Sequence, residues 1–180
     1  MSDPATTRHT VFDALFLHLL QPQGAFKDEL RAAGYDPDRP LLRYPTSVLL
    51  ATLDIAARHV YPELPREEAH RTLGRRFADR YLATVLGRLT RKVVLALGAD
   101  KFLMQIPRIV PISSTGVTVA VKRVGPGEFQ LVYTGESQPP DFVAGALEGG
   151  AEDSSILGLR AQIVRREPGE FELKVTVAGK

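Results

Sequence analysis

The chain has 180 residues, of which 44% are hydrophobic, with a formal net charge of +2 and no cysteine. A chain of this length and composition fits one domain that buries a core without metals or disulfides. The missing cysteine excludes thiolate nucleophiles and cysteine-based zinc or iron–sulfur sites, and the small net charge is far below the basic excess of a dedicated nucleic-acid binder.

The first part of the chain shows the periodicity of helices. The pattern predicts a first helix over residues 11–20 capped by Thr10, a second over 25–33 that ends at Gly34, and a third over 48–59 capped by Thr46 or Ser47. Three prolines within residues 35–45 predict extended or turn backbone between the second and third helices.

One long helix is the most informative predicted element. Pro65 suits its first position, and Glu67 and Glu68 place negative charge near the positive end of the helix dipole. Apolar residues then recur at helical spacing over residues 69–97, and Gly98 ends the pattern. This gives a helix of up to about 30 residues, longer than the usual range of about 8 to 20.

After about residue 100 the period of the pattern becomes two. It predicts an irregular edge strand over 105–112, strands over 115–124 and 129–134, a helix within 139–151, and a final hairpin of 159–166 and 170–177. We therefore predict an α+β fold in one domain, residues 1–180, with N-terminal helices and one long central helix over about 10–98. An antiparallel sheet, interrupted by one helix, follows over about 103–178.

Three stretches carry a family resemblance: GYDPDRPLLRYP, YPELPREEAHRTLGRRFADRYLATVLGRL and DFVAGALEGG. Together they resemble a paralogous family of unknown function found mainly in myxobacteria, domain of unknown function 2378, over roughly residues 26–177. The elements LGRRF and TVLGR are the most specific of these matches. The family carries no established catalytic residues, so the resemblance implies none in this chain.

The order of the predicted elements is similar to a wider superfamily of vinyl-reductase-type, TRAPP and haem-nitric-oxide-binding domains. Phe142, Gly145, Leu147, Glu148 and Gly149 match the helix pattern of that superfamily. This likeness implies an apolar ligand or a partner protein bound between the helices and the sheet. The haem branch needs a proximal histidine with a YxSxR motif, and the acylated TRAPP branch needs a cysteine. The chain has neither that motif nor a cysteine, so we expect no cofactor.

The predicted ligand pocket lies between the long helix and the sheet. Its candidate residues are apolar or aromatic side chains with one arginine as a polar anchor: Phe77, Tyr81, Val85, Arg88, Phe142 and Leu147. Ordinary core packing is the alternative explanation for each of them. Gly74 and Gly87 lie inside the long helix, where glycine costs about 0.5 to 1 kcal/mol relative to alanine, so another backbone or a ligand is expected to approach closely there.

The long helix also carries a row of basic side chains, Arg71, Arg75, Arg76 and Arg80. Such a row can bind the phosphate groups of a nucleic acid, a nucleotide or a lipid. The alternative is that these arginines pair with Glu67, Glu68, Asp79 and loop acids, or are solvated. We favour this alternative because the net charge is small, and we expect no nucleic-acid partner.

The sequence gives little support for a catalytic site or a metal site. The histidines, His9, His18, His59 and His70, show no metal-ligand spacing, and a local ion pair with Glu67 explains His70. Asp141 and Glu148 are expected to be acids on a helix surface. The absence of a nucleophile–base pair or a carboxylate pair argues against an enzyme.

The sequence therefore predicts a non-enzymatic, cytoplasmic sensory or regulatory domain. Its partner would be a small apolar or amphipathic ligand or another protein, and phosphate or nucleic-acid binding by the basic row is the alternative. No apolar run reaches the roughly 20 residues that cross a bilayer, so no membrane span is expected. Folds of this kind often pair through exposed apolar faces, which leaves a homodimer open.

Overall fold

A computed structural model describes residues 4–83, 88, 98–153 and 158–178 of the chain. The fold is α+β, as predicted, with one two-stranded and one four-stranded antiparallel sheet. In chain order the elements are β1 (Thr6–Arg8), α1 (His9–Phe12), a π-helical segment (Asp13–Leu20), α2 (Gly24–Ala32), β2 (Arg43–Pro45), α3 (Thr46–Val60), α4 (Arg66–Ala83), α5 (Ile106–Ser113), β3 (Val117–Gly125), β4 (Glu128–Gly135), α6 (Pro140–Asp153), β5 (Arg160–Glu167) and β6 (Glu170–Thr176). Residues 98–103, which precede α5, are also helical.

The three predicted N-terminal helices are present, each within two residues of its predicted ends. From Asp13 the first helix continues with π geometry to Leu20, and the N–H of Gln21 donates to Phe16 O at 3.0 Å. Gly34 follows α2 with a φ of +98°, the left-handed conformation that glycine adopts most readily.

The predicted side-chain caps of the first and third helices are wrong. Within the described residues, neither α1 nor α3 has a cap hydrogen bond from a side chain, because β1 and β2 pair with each other and each runs directly into a helix. Backbone carbonyls satisfy the first N–H groups instead. His9 N–H donates to Leu42 O at 3.1 Å, and Thr46 N–H donates to Ala5 O at 3.0 Å.

The long helix begins close to its predicted start. α4 covers Arg66–Ala83, with Pro65 just before it and Glu67 and Glu68 in its first turn. Its predicted continuation to residue 97 falls mostly on residues 84–87 and 89–97, which lie outside the described residues. Gly98 has a φ of +76° but itself belongs to the helical residues 98–103, so its role as the end of the long helix stays a prediction.

The edge strand predicted over residues 105–112 is wrong, because this segment forms α5. Proline is tolerated in the first helical turn, where its missing N–H has no partner to lose, and Pro107 occupies that turn. Pro111 lies in the last turn, so only one internal helical bond is lost there. The sheet consequently starts at Val117, later than the predicted boundary near residue 103.

The four later strands form one sheet in the order β3-β4-β6-β5, with every neighbouring pair antiparallel. Side chains alternate across it: Phe129, Leu131 and Tyr133 of β4 are buried, while Gln130 and Val132 are only partly buried. This alternation is the period of two in the sequence, so the strands agree with the predicted ones.

Helix α6 lies between two hydrophobic clusters. Phe142 belongs to the first, which is built from the N-terminal helices and α4. Val143, Ala144 and Ala151 belong to the second, which α6 forms with the sheet, Leu103 and Ile106. Within the described residues, α6 therefore lies between α4 and the sheet. Among the helices that the structure describes, none combines the length and the hydrophobicity that a membrane span requires.

Candidate functional site

An apolar cavity of about 200 Å³ lies where α4, α5, α6 and the larger sheet meet. Each element contributes hydrophobic side chains: Phe77 and Tyr81 from α4, Ile106 and Val110 from α5, Phe142 and Leu147 from α6, and Tyr133 from β4. Gln138, just before α6, adds an uncharged amide. Such a concave, mostly apolar space with few polar groups is typical of a small-molecule site.

Four of the predicted pocket residues meet at this cavity, namely Phe77, Tyr81, Phe142 and Leu147. Val85 lies outside the described residues. Arg88 is exposed and does not line the cavity; its guanidinium donates to Ala83 O at 2.7 Å.

Aromatic rings shape the walls of the cavity. The ring of Phe77 lies 5.2 Å from that of Tyr81 and 5.2 Å from that of Phe142. Tyr133 stacks on Phe171 of β6 with their ring centroids 4.6 Å apart. The inward alternation of β4 signalled Tyr133, but the sequence does not show which of the inward residues reaches the cavity. The α5 residues were missed because their segment was predicted to be a strand.

Helices α4 and α6 approach each other unusually closely, and glycines make this possible. A Cβ on Gly74 of α4 would lie 2.9 Å from Ala146 N, and one on Gly145 of α6 would lie 2.9 Å from Arg71 C. Gly149 faces the backbone of Arg75 in the same way. The expected close approach of another backbone at Gly74 is therefore present, whereas Gly87 lies outside the described residues.

Glu148 joins the two helices beside the cavity, and its predicted place on a helix surface is wrong. Its side chain is only 4% exposed and accepts hydrogen bonds from Arg71 Nη2 at 2.6 Å and Arg75 Nη2 at 2.8 Å. The N–H of Ala161 in β5 donates to it at 3.1 Å. Burial opposes the charged carboxylate, but the bonds from Arg71, Ala161 and Arg75 outweigh it, so the pKa of Glu148 lies below its ordinary value.

These contacts give two arginines of the predicted basic row a structural partner. Arg71 and Arg75 serve the buried Glu148, and Arg71 also donates to Ala161 O at 2.5 Å. Arg76 donates to the Tyr61 hydroxyl at 2.7 Å, and Arg80 is exposed. Two members of the row are therefore engaged in a structural ion pair, while Arg76 and Arg80 lie at the surface, and phosphate binding by the row stays the alternative prediction.

Two further polar groups differ from the prediction. Asp141, expected on a helix surface, is only 6% exposed and forms a two-bond ion pair with Arg166 of β5, at 2.7 and 2.9 Å. His70 is buried, and its Nε2 lies 3.0 Å from Asp54 Oδ1 of α3, so its ionic partner is not Glu67. Burial lowers the pKa of His70, and the nearby Asp54 charge opposes that shift.

The described residues contain no group of three or more histidines, aspartates and glutamates that could hold a metal ion.

The chain matches one protein family along nearly its whole length. Residues 5–176 match the family described as "Protein of unknown function (DUF2378)". The chain belongs to this family. No functionally curated protein matches the sequence.

Several solved structures have a fold similar to that of this DUF2378 chain. An H-NOX protein from S. oneidensis is similar over 96% of this chain and 97% of its own, with a TM-score of 0.71 and 13% identity. A structure that probes heme distortion in the H-NOX family is similar over 96% and 95%, with a TM-score of 0.64 and 13% identity. An oxygen-binding H-NOX domain related to soluble guanylate cyclases is similar over 94% and 92%, with a TM-score of 0.63 and 14% identity. The DUF2378 chain therefore shares the H-NOX fold, and its predicted likeness to TRAPP and vinyl-reductase-type domains stays a prediction.

Proposed function

We propose that this domain is a non-enzymatic sensory or regulatory module that binds a small apolar or amphipathic molecule in the cavity between α4, α5, α6 and β4. The observation that supports this most directly is the cavity itself, about 200 Å³ in volume with aromatic and aliphatic walls. An engineered apolar cavity of about 150 Å³ stays dry and binds benzene, so a space of this size suits a small organic molecule.

Haem, whose distortion is studied in one of the similar H-NOX structures, does not fit the residues of this chain. Haem iron is held by histidine, cysteine, methionine or tyrosine. The chain has no cysteine, and its four histidines all lie outside the lining of the cavity. Met104 is 46% exposed, also outside the lining. The two tyrosines of the lining remain, and burial raises the pKa of both Tyr81 and Tyr133, which opposes the phenolate that an iron ligand requires.

The volume of the cavity also argues against haem as the ligand. Pockets for drug-sized ligands measure about 300 to 1,000 Å³. The cavity of about 200 Å³ is smaller than this range, and a porphyrin is larger than most such ligands. We therefore propose a ligand that is smaller than haem and that binds without iron coordination.

A sensory domain of this kind acts by signalling to a partner whether a ligand occupies its cavity. The cavity lies against α6, and α6 contacts α4 through Glu148 and β5 through the same side chain, so a ligand that displaces α6 would move two elements together. A protein partner, a homodimer and a cytoplasmic location stay predictions that belong to this proposal.

Filling the cavity tests the proposal. A Cβ at Gly150 of α6 would meet its nearest atoms, Ala78 Cβ and Leu82 Cδ1, only at 3.9 and 4.0 Å, so a side chain has room to grow there. We expect Gly150→Leu to occupy the cavity and to weaken the binding of toluene, a purely apolar probe, by about tenfold or more. NMR titration of the whole chain measures this affinity.

Gly150→Ala is the matched control, since it makes the same change to the helix backbone and adds only one methyl group. We expect it to bind toluene as the native protein does. Equal toluene affinity in the Leu and Ala variants, or no toluene binding by the native chain, would contradict the proposed site. Native mass spectrometry of the purified protein would additionally show any small molecule that it retains.

A further inference from the structure

We infer that the cavity selects an uncharged ligand that carries one hydrogen-bonding oxygen, such as an alcohol, aldehyde or ketone, and that the Tyr133 hydroxyl holds this oxygen. The inference rests on the proposed function and narrows it to a chemical class. The inference excludes a fatty acid, or any other ligand that ends in a carboxylate.

The described part of the cavity lining provides no charge to pair with an ion. Among the described lining residues the polar side chains are Tyr81, Tyr133 and Gln138, and none of the three carries a formal charge at neutral pH. A carboxylate moved from water into such surroundings loses its hydration without a compensating partner. A neutral oxygen loses far less and recovers it with one hydrogen bond.

Among the described residues, three of the arginines near the cavity already belong to ion pairs. Arg71 and Arg75 are paired with Glu148, whose neighbour Leu147 lines the cavity. Arg166 is paired with Asp141, next to the lining residue Phe142. Drawing Arg166 to a ligand carboxylate would leave the buried Asp141 without its ionic partner, and drawing Arg71 or Arg75 would remove one of the two cations that hold the buried Glu148; both changes are costly.

Tyr133 is the polar group that a ligand can engage. Its side chain is 4% exposed, its ring is fixed by stacking on Phe171, and its hydroxyl makes no hydrogen bond to any residue that the structure describes. Burial alone raises the pKa of Tyr133, so the hydroxyl stays protonated and available as a donor. A buried tyrosine hydroxyl usually has a partner, and a ligand oxygen in the cavity would supply it.

Tyr81 is a weaker candidate for this role. Its hydroxyl is already hydrogen-bonded to the Ser113 side chain, and the charge of Arg8 acts on it from outside the lining. Arg8 is exposed, and it is therefore the cation that a carboxylate at the edge of the cavity would approach.

A pair of ligands with the same chain length tests the inference. We expect isothermal titration at neutral pH to show that octan-1-ol binds the full chain and that octanoate binds about 100-fold more weakly or not at all. Tyr133→Phe should weaken octan-1-ol binding by about tenfold and should weaken the binding of toluene, which has no oxygen to accept the hydrogen bond, much less. Retained toluene binding also shows that the variant keeps its fold.

Each other outcome overturns the inference. Octanoate affinity equal to that of octan-1-ol would show that charge is tolerated, and its loss in Arg8→Gln would place the head group at Arg8. An unchanged octan-1-ol affinity in Tyr133→Phe, with a loss in Gln138→Leu instead, would assign the oxygen to Gln138. Failure of the proposed function is distinguishable, because then toluene does not bind either.

Discussion

Glu148 shows how one buried side chain can organise the surroundings of a site. Its two oxygens accept from Arg71 and Arg75 of α4 and from the Ala161 N–H of β5, so three elements meet at one carboxylate. In the sequence Glu148 is an acid on a helix with no basic neighbour three or four residues away. Its partners are more than 70 positions earlier and 13 positions later, so local pattern could not reveal that it is buried.

Neutralising this carboxylate should remove a pH-dependent part of the stability. The folded-state pKa of Glu148 is lowered, so its contribution is fully present above the unfolded value of about 4.3 and is lost as the pH falls through the lower folded value. We expect Glu148→Gln to lower the free energy of unfolding by about 3 kcal/mol at neutral pH, with the difference from the native chain shrinking below about pH 4.3. Urea denaturation at a series of pH values measures it.

Glu136→Gln is the control for this experiment, because Glu136 is an exposed acid in a turn. It should change the free energy of unfolding by less than about 0.5 kcal/mol. A pH-independent loss in Glu148→Gln would mean that the side chain acts by shape and not through its charge.

At the scale of elements, the α4–α6 contact is the feature that positions the cavity. Gly145 and Gly149 of α6 face the backbone of α4, with a Cβ on Gly149 only 2.8 Å from Arg75 Cα. We expect Gly145→Ala and Gly149→Ala each to destabilise the fold by about 1 to 3 kcal/mol, because backbone atoms cannot move aside as flexible side chains do. Thermal unfolding followed by circular dichroism gives the comparison.

Gly150→Ala serves as the control on the same helix, since its added methyl group makes only ordinary van der Waals contacts with Ala78 and Leu82. It should be neutral or stabilising by up to about 1 kcal/mol, as expected for glycine replaced by alanine inside a helix. If all three alanine variants behaved alike, the helices would not be in the close contact that places Phe77 against Phe142.

The elements also show where sequence pattern is sufficient and where it is not. The hairpin strands follow from strict alternation, and α2 follows from helical spacing with Gly34 at its end. Helix α5 does not follow from the sequence, because Pro107 and Pro111 favour an edge strand there and a two-turn helix has too few residues to show a helical period. Four cavity residues were named from the sequence, whereas Tyr133 required knowledge of which strand faces α6.

On the scale of the whole molecule, α6 connects two hydrophobic clusters that would otherwise be separate. Its consecutive residues Phe142 and Val143 belong to different clusters, one with the N-terminal helices and one with the sheet. A helix buried on opposite faces couples the stability of both, because neither cluster is complete without it. The prediction of a single domain over residues 1–180 can therefore be examined through cooperativity.

Core truncations in the two clusters should affect the same unfolding transition. Leu53 of α3 and Leu173 of β6 are both fully buried, each in a different cluster. We expect Leu53→Ala and Leu173→Ala each to lower the free energy of unfolding by about 2 to 5 kcal/mol. Hydrogen exchange read by mass spectrometry should show each variant losing protection equally in α3 and in β4, since a cooperative unit opens as a whole. If Leu53→Ala lowered protection only in the helices and left β4 unchanged, the chain would contain two units that unfold separately, and occupancy of the cavity could not be transmitted through α6.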